Sequence, residues 1–178
     1  MDAAGRAQFN GVMAQFAHPA CVEVDAFRDA IGRFLTGVTI VTTQLDGEDF
    51  GTTASAVTSL SLEPPMLLVC LNATSDTRNA ILDRRTFAVS VLADHQQQLA
   101  RRFADKGRGK FAGVEIARGP SGAPLVDGAL ASLDCRVSDT ITGGTHTVFL
   151  AHVIEAWARD GAPLAYFRGG FGQLGGGA

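Results

Sequence analysis

The sequence predicts a mainly β protein, an antiparallel β-barrel with peripheral helices, and three observations carry that expectation. Short apolar, β-branched runs recur along the chain, bounded by Gly, Pro and Asp-Gly signals of the kind that join strands by tight turns. Helical spacing or capping appears in only a few short stretches between them. Strands that are mostly antiparallel neighbours hide their unpaired edges most simply by closing on themselves. A length of 178 residues suits one domain with a sizeable core, and 46% hydrophobic residues, 19% charged residues and 21 glycines describe a globular chain rich in strands and turns.

Residues 1–21 read as a flexible N-terminal arm. They lack a continuous apolar core after a basic start, so no secretory signal is expected and the location follows as cytoplasmic. The folded domain is expected over 22–172, with 173–178 as a flexible tail. "VEVDAFRDAIGRFLTG" sets Phe27, Ala30, Ile31, Phe34 and Leu35 at helical spacing, with Asp25 near the start and Gly37 as the stop. "VTIVTTQL" is a strand, Asp46-Gly47 tolerates the positive φ angles of a tight hairpin, and "FGTTASAV" is the returning strand. The rest of that small-residue segment, to the paired Pro64 and Pro65, reads as a turn into "MLLVCLN", expected as a central strand.

"SDTRNAILDRR" opens with Ser75 or Asp76 as N-cap and carries its basic residues late, the order a short helix favours. "TFAVSVL" follows as a strand and "DHQQQLARRFA" as another helix. Lys106 to Asp127 is rich in Gly, Lys, Arg and Pro and reads as a long surface excursion. "ALASLDCRVSDT" and "HTVFLAHVIEAWA" form a second hairpin around "ITGGT". "PLAYFRG" is the last strand, and "GQLGGGA" a frayed tail.

Several function classes are excluded at this stage. A formal net charge of −3 argues against nucleic acid or an anionic membrane as partner. No apolar run approaches the roughly 20 residues of a membrane-spanning helix. Cys21, Cys70 and Cys135 are odd in number and far apart, with no C-x-x-C pair, so neither a disulfide framework nor structural zinc is expected. Cys70 and Cys135 lie in strand-like runs, where a thiol is most often a small buried hydrophobe. His18, His95, His146 and His152 form no H-x-H or H-x-x-x-H cluster, so no metal site is expected. The G-x-S-x-G and Walker signatures are absent, and no G-x-G-x-x-G opens a helix.

What remains is a slim strand rich in hydroxyls, a polar loop ending an apolar strand, and helix N-termini. Small side chains let a planar ring approach the backbone, and hydroxyls and unpaired amides bind its polar edge and phosphate. "NATSDT", Asn72 to Thr77, sets several donors at a helix start; an ordinary capped turn is the alternative reading of those six residues.

The series "FLTGVTIVTT", "DG", "GTTASAVTSLSLEPPMLLVCLN", "SDT", "FAVSVLADHQQQLARRFA", "KFAGV", "PLVDGALASLDCRV" and "GGTHTVFLAHV" is similar, in order and spacing, to the short-chain flavin reductases. These are FMN-binding split-barrel proteins that accompany two-component flavin monooxygenases, and the likeness runs from Phe27 to Phe171. The resemblance implies an antiparallel split β-barrel that passes hydride from NADH or NADPH to the N5 of FMN or FAD. Reduced flavin then leaves for a partner monooxygenase, and two subunits form a homodimer.

No side-chain acid or nucleophile is required, because the protein's part is to stack and orient two cofactors. The resemblance puts the flavin against Phe50, Gly51, Thr52, Thr53, Ser55 and Ala56, closed by Cys70, Leu71 and Asn72. It puts the phosphate at Asp76 and Thr77, with Arg102 and Phe103 as a basic-aromatic pair reaching it, guanidinium being suited to paired hydrogen bonds with phosphate. His146, after Gly143, Gly144 and Thr145, is implied on the nicotinamide side, and Tyr166, Phe167, Arg168 and Gly169 lie beside that pocket. The chain departs from the pattern at Thr145, where Asp is usual, and at Ala56 and Val57, where Ser and Phe are common. Two other readings stay open: a split-barrel flavoprotein holding FMN tightly and acting on another small substrate, and a non-catalytic flavin- or haem-binding module.

Overall fold

The computed structural model describes residues 21–173. The chain divides into two compact units, Met1–Phe34 and Leu35–Ala178. In the first, Val24–Ile31 forms helix α1, with Asp25 in its first turn, where the helix dipole favours an anion, and Arg28 in its last. Its apolar side chains Val24, Phe27 and Ile31 are exposed. The helix closes at Gly32, whose N–H donates to Arg28 O, and not at Gly37 as expected. Within the second unit Thr36 and Gly37 form strand β1, because the strand at 164–167 offers them backbone partners at Tyr166 and Ala165. The expected N-terminal arm, save Cys21, lies outside the described residues.

The second unit is built on β2 (Thr39–Leu45), β3 (Glu48–Ala54), β4 (Val57–Leu62), β5 (Pro65–Asn72), β6 (Thr86–Val91), β9 (Ala131–Gly143) and β10 (His146–Ala158). They form one antiparallel sheet in the order β3-β2-β6-β9-β10-β5-β4. Asp46 and Gly47, at φ 51° and 82°, make the β2–β3 turn, the positive-φ pair that matches the twist of a two-residue hairpin. β3 and β4 stand at opposite ends of the strand order, yet only Ser55 and Ala56 join them. The three Cα steps from Ala54 to Val57 span at most roughly 11 Å, so the two edges of the sheet meet at this corner and the sheet curls into a barrel. The Cys70 N–H donates to Ala56 O at 2.9 Å and seals it.

Two expectations are corrected here. The second half of the small-residue segment is strand β4 rather than a turn, because β5 has an open edge for it; the turn is confined to Glu63–Pro64. β5 is not central but second from an edge, with Leu67, Val69 and Leu71 buried and the residues between them half-exposed. The centre of the sheet is β9.

Beside the barrel, β1, β11 (Leu164–Phe167) and β12 (Gly170–Gln173) form a second sheet, with Arg168 and Gly169 at φ 49° and 80° in its turn. Gly172 and Gln173, expected in a frayed tail, pair with Ala165 and Leu164; residues 174–178 lie outside the described part. The excursion holds a short hairpin of β7 (Ile116–Arg118) and β8 (Pro124–Val126). It is held to the barrel where the Val126 N–H donates to Ser90 Oγ at 3.1 Å and the Thr42 hydroxyl donates to Pro124 O.

Helix α2 (Asp76–Arg84) is capped by Ser75, whose hydroxyl accepts the Arg78 N–H, and α3 (Gln97–Ala104) follows a 3-10 turn at Asp94–Gln96. Phe87, Val89, Val69 and Phe149 fill one core cluster, and Val38, Ile40, Leu92, Phe103 and Leu164 a second. Each such side chain contributes about 1.5–3 kcal/mol on burial. Cys135 is fully buried, and burial, with Asp134 beside it, pushes its thiol up to about 12. Among the described residues no helix is long and apolar enough to cross a membrane.

Candidate functional site

Where the barrel seam opens, away from the Ser55–Ala56 corner, lies a cleft of about 630 Å³. Phe50, Gly51 and Thr52 of β3 line one side, Asn72 and the Ser75–Thr77 start of α2 line another, and residues 104–111, running from the end of the helix at 97–104 into the excursion, close a third. Six expected residues therefore share one cavity: Phe50, Gly51, Thr52, Asn72, Asp76 and Thr77.

Gly51 explains why β3 is slim. A Cβ there would stand 2.5 Å from Phe103 Cε1 and 3.1 Å from Phe111 Cζ, and these two rings pack edge to face with centroids 4.9 Å apart. The missing side chain makes room for two of the protein's own rings. Phe103 is accordingly wholly buried, under the strand rather than in the cleft. Next along the strand, the Thr53 hydroxyl donates to Ala100 O at 2.6 Å and ties β3 to α3.

Of the three cations that line this site, Lys106, Arg108 and Lys110, only Lys110 is half-buried. Its Nζ donates to Gly51 O and Phe103 O, both at 3.1 Å. Burial lowers its ammonium below the ordinary lysine value, while Asp76 and Asp105 act in the opposite direction. Lys110 was not among the expected residues, although "KFAGV" carried it; nothing local distinguishes its ammonium from the solvated charges of Lys106 and Arg108. Arg102 is exposed, donates to Ala112 O at 3.0 Å, and lines a separate cleft with His95, Gln98 and Glu115.

The excursion is fastened along β3. Arg118 meets Asp49 through two hydrogen bonds of 2.7 and 2.8 Å and also donates to Gly122 O, and its bond to Asp49 pushes the guanidinium further up. Arg108 lies 3.7 Å from Glu48.

At the cleft rim, Asn72 Oδ1 accepts from the Thr74 N–H at 2.9 Å and the Thr74 hydroxyl at 2.8 Å, which shapes the loop into α2. Asn72 pairs across the sheet with His146, so β10 brings the expected nicotinamide-side histidine to the same rim. Leu71 is buried, Cys70 is half-buried with its thiol raised by burial, and Ser55 and Ala56 are exposed at the corner. Tyr166 packs on Phe171 at 5.5 Å, Phe167 is exposed, and Arg168 and Gly169 are turn residues. None of these four lines the cleft.

A phosphate-tailed flavin fits the cavity that these residues form. The amides of Asp76 and Thr77 have no partner inside α2, the helix start favours an anion, and Lys110 is a half-buried cation beside it. Among the described residues no group of three His, Cys, Asp or Glu is placed to hold a metal ion.

Comparison with known proteins gives the same answer. The model of the flavin reductase like domain matches residues 31–175. The reductase component of 4-nitrophenol 4-monooxygenase/4-nitrocatechol 2-monooxygenase from Rhodococcus opacus is 49% identical over 148 residues, covering 83% of this chain and 80% of that protein. The FMN reductase (NADH) RutF of Pseudomonas syringae pv. syringae is 37% identical over 151 residues, covering 83% and 85%. Among solved structures, the NADH:FAD oxidoreductase SgcE6 of Streptomyces globisporus C-1027, in complex with NAD and FAD fragments, superposes with a TM-score of 0.82 at 37% identity, over 88% of this chain and 97% of that one. A rolled sheet whose seam opens on a cation and a helix start, matched over most of its length by these proteins, places the chain in the flavin-reductase-like family.

Proposed function

We propose that this chain is an NADH-dependent flavin reductase that passes reduced flavin to a partner monooxygenase. The observation that carries the reading is the open seam, where Lys110, the α2 start and the Gly51 strand converge. Bound flavin supplies the hydride acceptor; the chain's own residues hold and orient it. Phe50, Thr52 and the Gly51 backbone offer one wall, and Asn72 borders the other, with Cys70 and Leu71 behind it in the same strand. The Asp76 and Thr77 amides with Lys110 hold the phosphate. We assign that role to Lys110 rather than to Arg102, because Lys110 lines the same cavity as Asp76 and Thr77. His146, paired with Asn72, meets the nicotinamide.

The seam stays open to solvent, and carboxylates outnumber cations along its lining, which suits a flavin that leaves. Leu60, Leu62, Ile154 and Trp157 present exposed apolar surface on β4 and the far end of β10, which supports a homodimer. A cytoplasmic location accords with a reduced nicotinamide as donor. The test mixes purified protein with NADH and free FMN or FAD and follows absorbance at the nicotinamide band. Oxidation well above the flavin-only blank is expected, and none would sink the reductase reading. Protein that stays yellow through gel filtration would instead mean a tightly held flavin.

A further inference from the structure

The segment around His146 is held from three sides. The Ala73 N–H donates to Thr145 O at 2.9 Å, His146 pairs with Asn72 across the sheet, and the Thr147 hydroxyl accepts from Arg78 Nε at 2.8 Å. The imidazole itself is exposed. One contact restrains it: Thr145 Oγ1 lies 3.0 Å from His146 Nδ1. Thr145 is itself fixed to the loop that lines the cleft, since Ala73 sits between Asn72 and Thr74.

We infer that Thr145 is the positioning residue of the dinucleotide side: its hydroxyl engages Nδ1 and leaves Nε2 as the one ring nitrogen offered to the incoming nicotinamide dinucleotide. The inference rests on the reading of His146 given above. A hydroxyl can donate to a bare Nδ1 or accept from a protonated one. It therefore restrains the ring in either tautomer, where an apolar group of the same shape would release it. Loss of one such bond, worth about 0.5–1.5 kcal/mol, corresponds to a change of roughly two- to twelve-fold.

The experiment uses the full chain with NADH and FAD. Thr145→Val, which keeps the shape and removes the hydroxyl, is expected to raise the KM for NADH by about two- to twelve-fold with the KM for FAD unchanged. Thr145→Ser restores the wild-type value. In protein carrying 15N-labelled histidine, His146→Ala identifies the His146 ring signals among the 4 histidines. Those signals shift in Thr145→Val and return in Thr145→Ser. If His146→Ala raises the KM for NADH but Thr145→Val leaves both the KM and the ring signals alone, the positioning role is overturned and the reading of His146 stands. If His146→Ala leaves the KM for NADH unchanged, the dinucleotide role of His146 falls and this inference with it.

Discussion

Lys110 and Gly51 show how single residues make the site. The Lys110 ammonium holds Gly51 O and Phe103 O and lines the same cavity as Asp76 and Thr77 at the α2 start. Lys110→Met keeps the methylene stem and removes the charge, so flavin affinity is expected to fall about ten-fold or more, the worth of a charge-assisted hydrogen bond. Arg102→Ala, in its separate cleft, is expected to change it less; fluorescence titration with FMN measures both, and the reverse order would refute the assignment. The cation is the form that binds phosphate, and burial lowers its pKa from 10.5. Wild-type affinity should therefore decline at a lower pH than for an ordinary lysine, and Lys110→Met should flatten that limb of the profile. The same lowering means that the unfolded chain holds the extra proton between the lowered value and 10.5, so this group adds stability as pH rises across that window. Gly51→Ala places a Cβ against Phe103, which has nowhere to go, and overpacking of this kind costs about 1–3 kcal/mol, readable as a lower urea midpoint. The glycine was legible as a deliberate absence of bulk. Its cause was not, because Phe103 and Phe111 reach it from 52 and 60 positions further along the chain.

At the scale of elements, the excursion is a wall of the cleft latched to β3. Asp49 is largely buried, and Arg118 grips it with both ends of the guanidinium. Arg118 is partly exposed, so solvent screening limits the pair to about 1 kcal/mol or less of global stability. The effect expected of Arg118→Met is local: hydrogen exchange at residues 105–115 accelerates and flavin binding weakens, while the urea midpoint barely moves. Equal exchange in both proteins would show that the latch does not hold the wall. Hairpins with Asp-Gly turns and capped helices were readable because their signals are local: Asp46-Gly47 turns where expected, and Ser75 caps α2. Strands β1 and β4 were not, because Thr36–Gly37 and Val57–Leu62 become strands through partners supplied by distant β11 and β5.

For the molecule as a whole, closure of the sheet decides what is buried. Cys135 lies on β9 in the middle of the strand order, fully enclosed, with its thiol pushed up to about 12. A thiol reagent at neutral pH should leave Cys135 unmodified in the native protein and label it only in denaturant; rapid native labelling, mapped by peptide mass, would contradict the enclosed core. Composition and pattern alone were enough for the mainly β class, the order of most elements and, through its motifs, the family, because these depend on residues near one another in the chain. Which residues share a cavity was settled by the rolling of the sheet. It joins β3 to β4 across two residues, opens the seam beyond that corner, and sets Lys110 rather than Arg102 beside Asp76. Such pairings arise between segments tens of residues apart, and their distances are fixed by strand register and core packing, which no local pattern encodes.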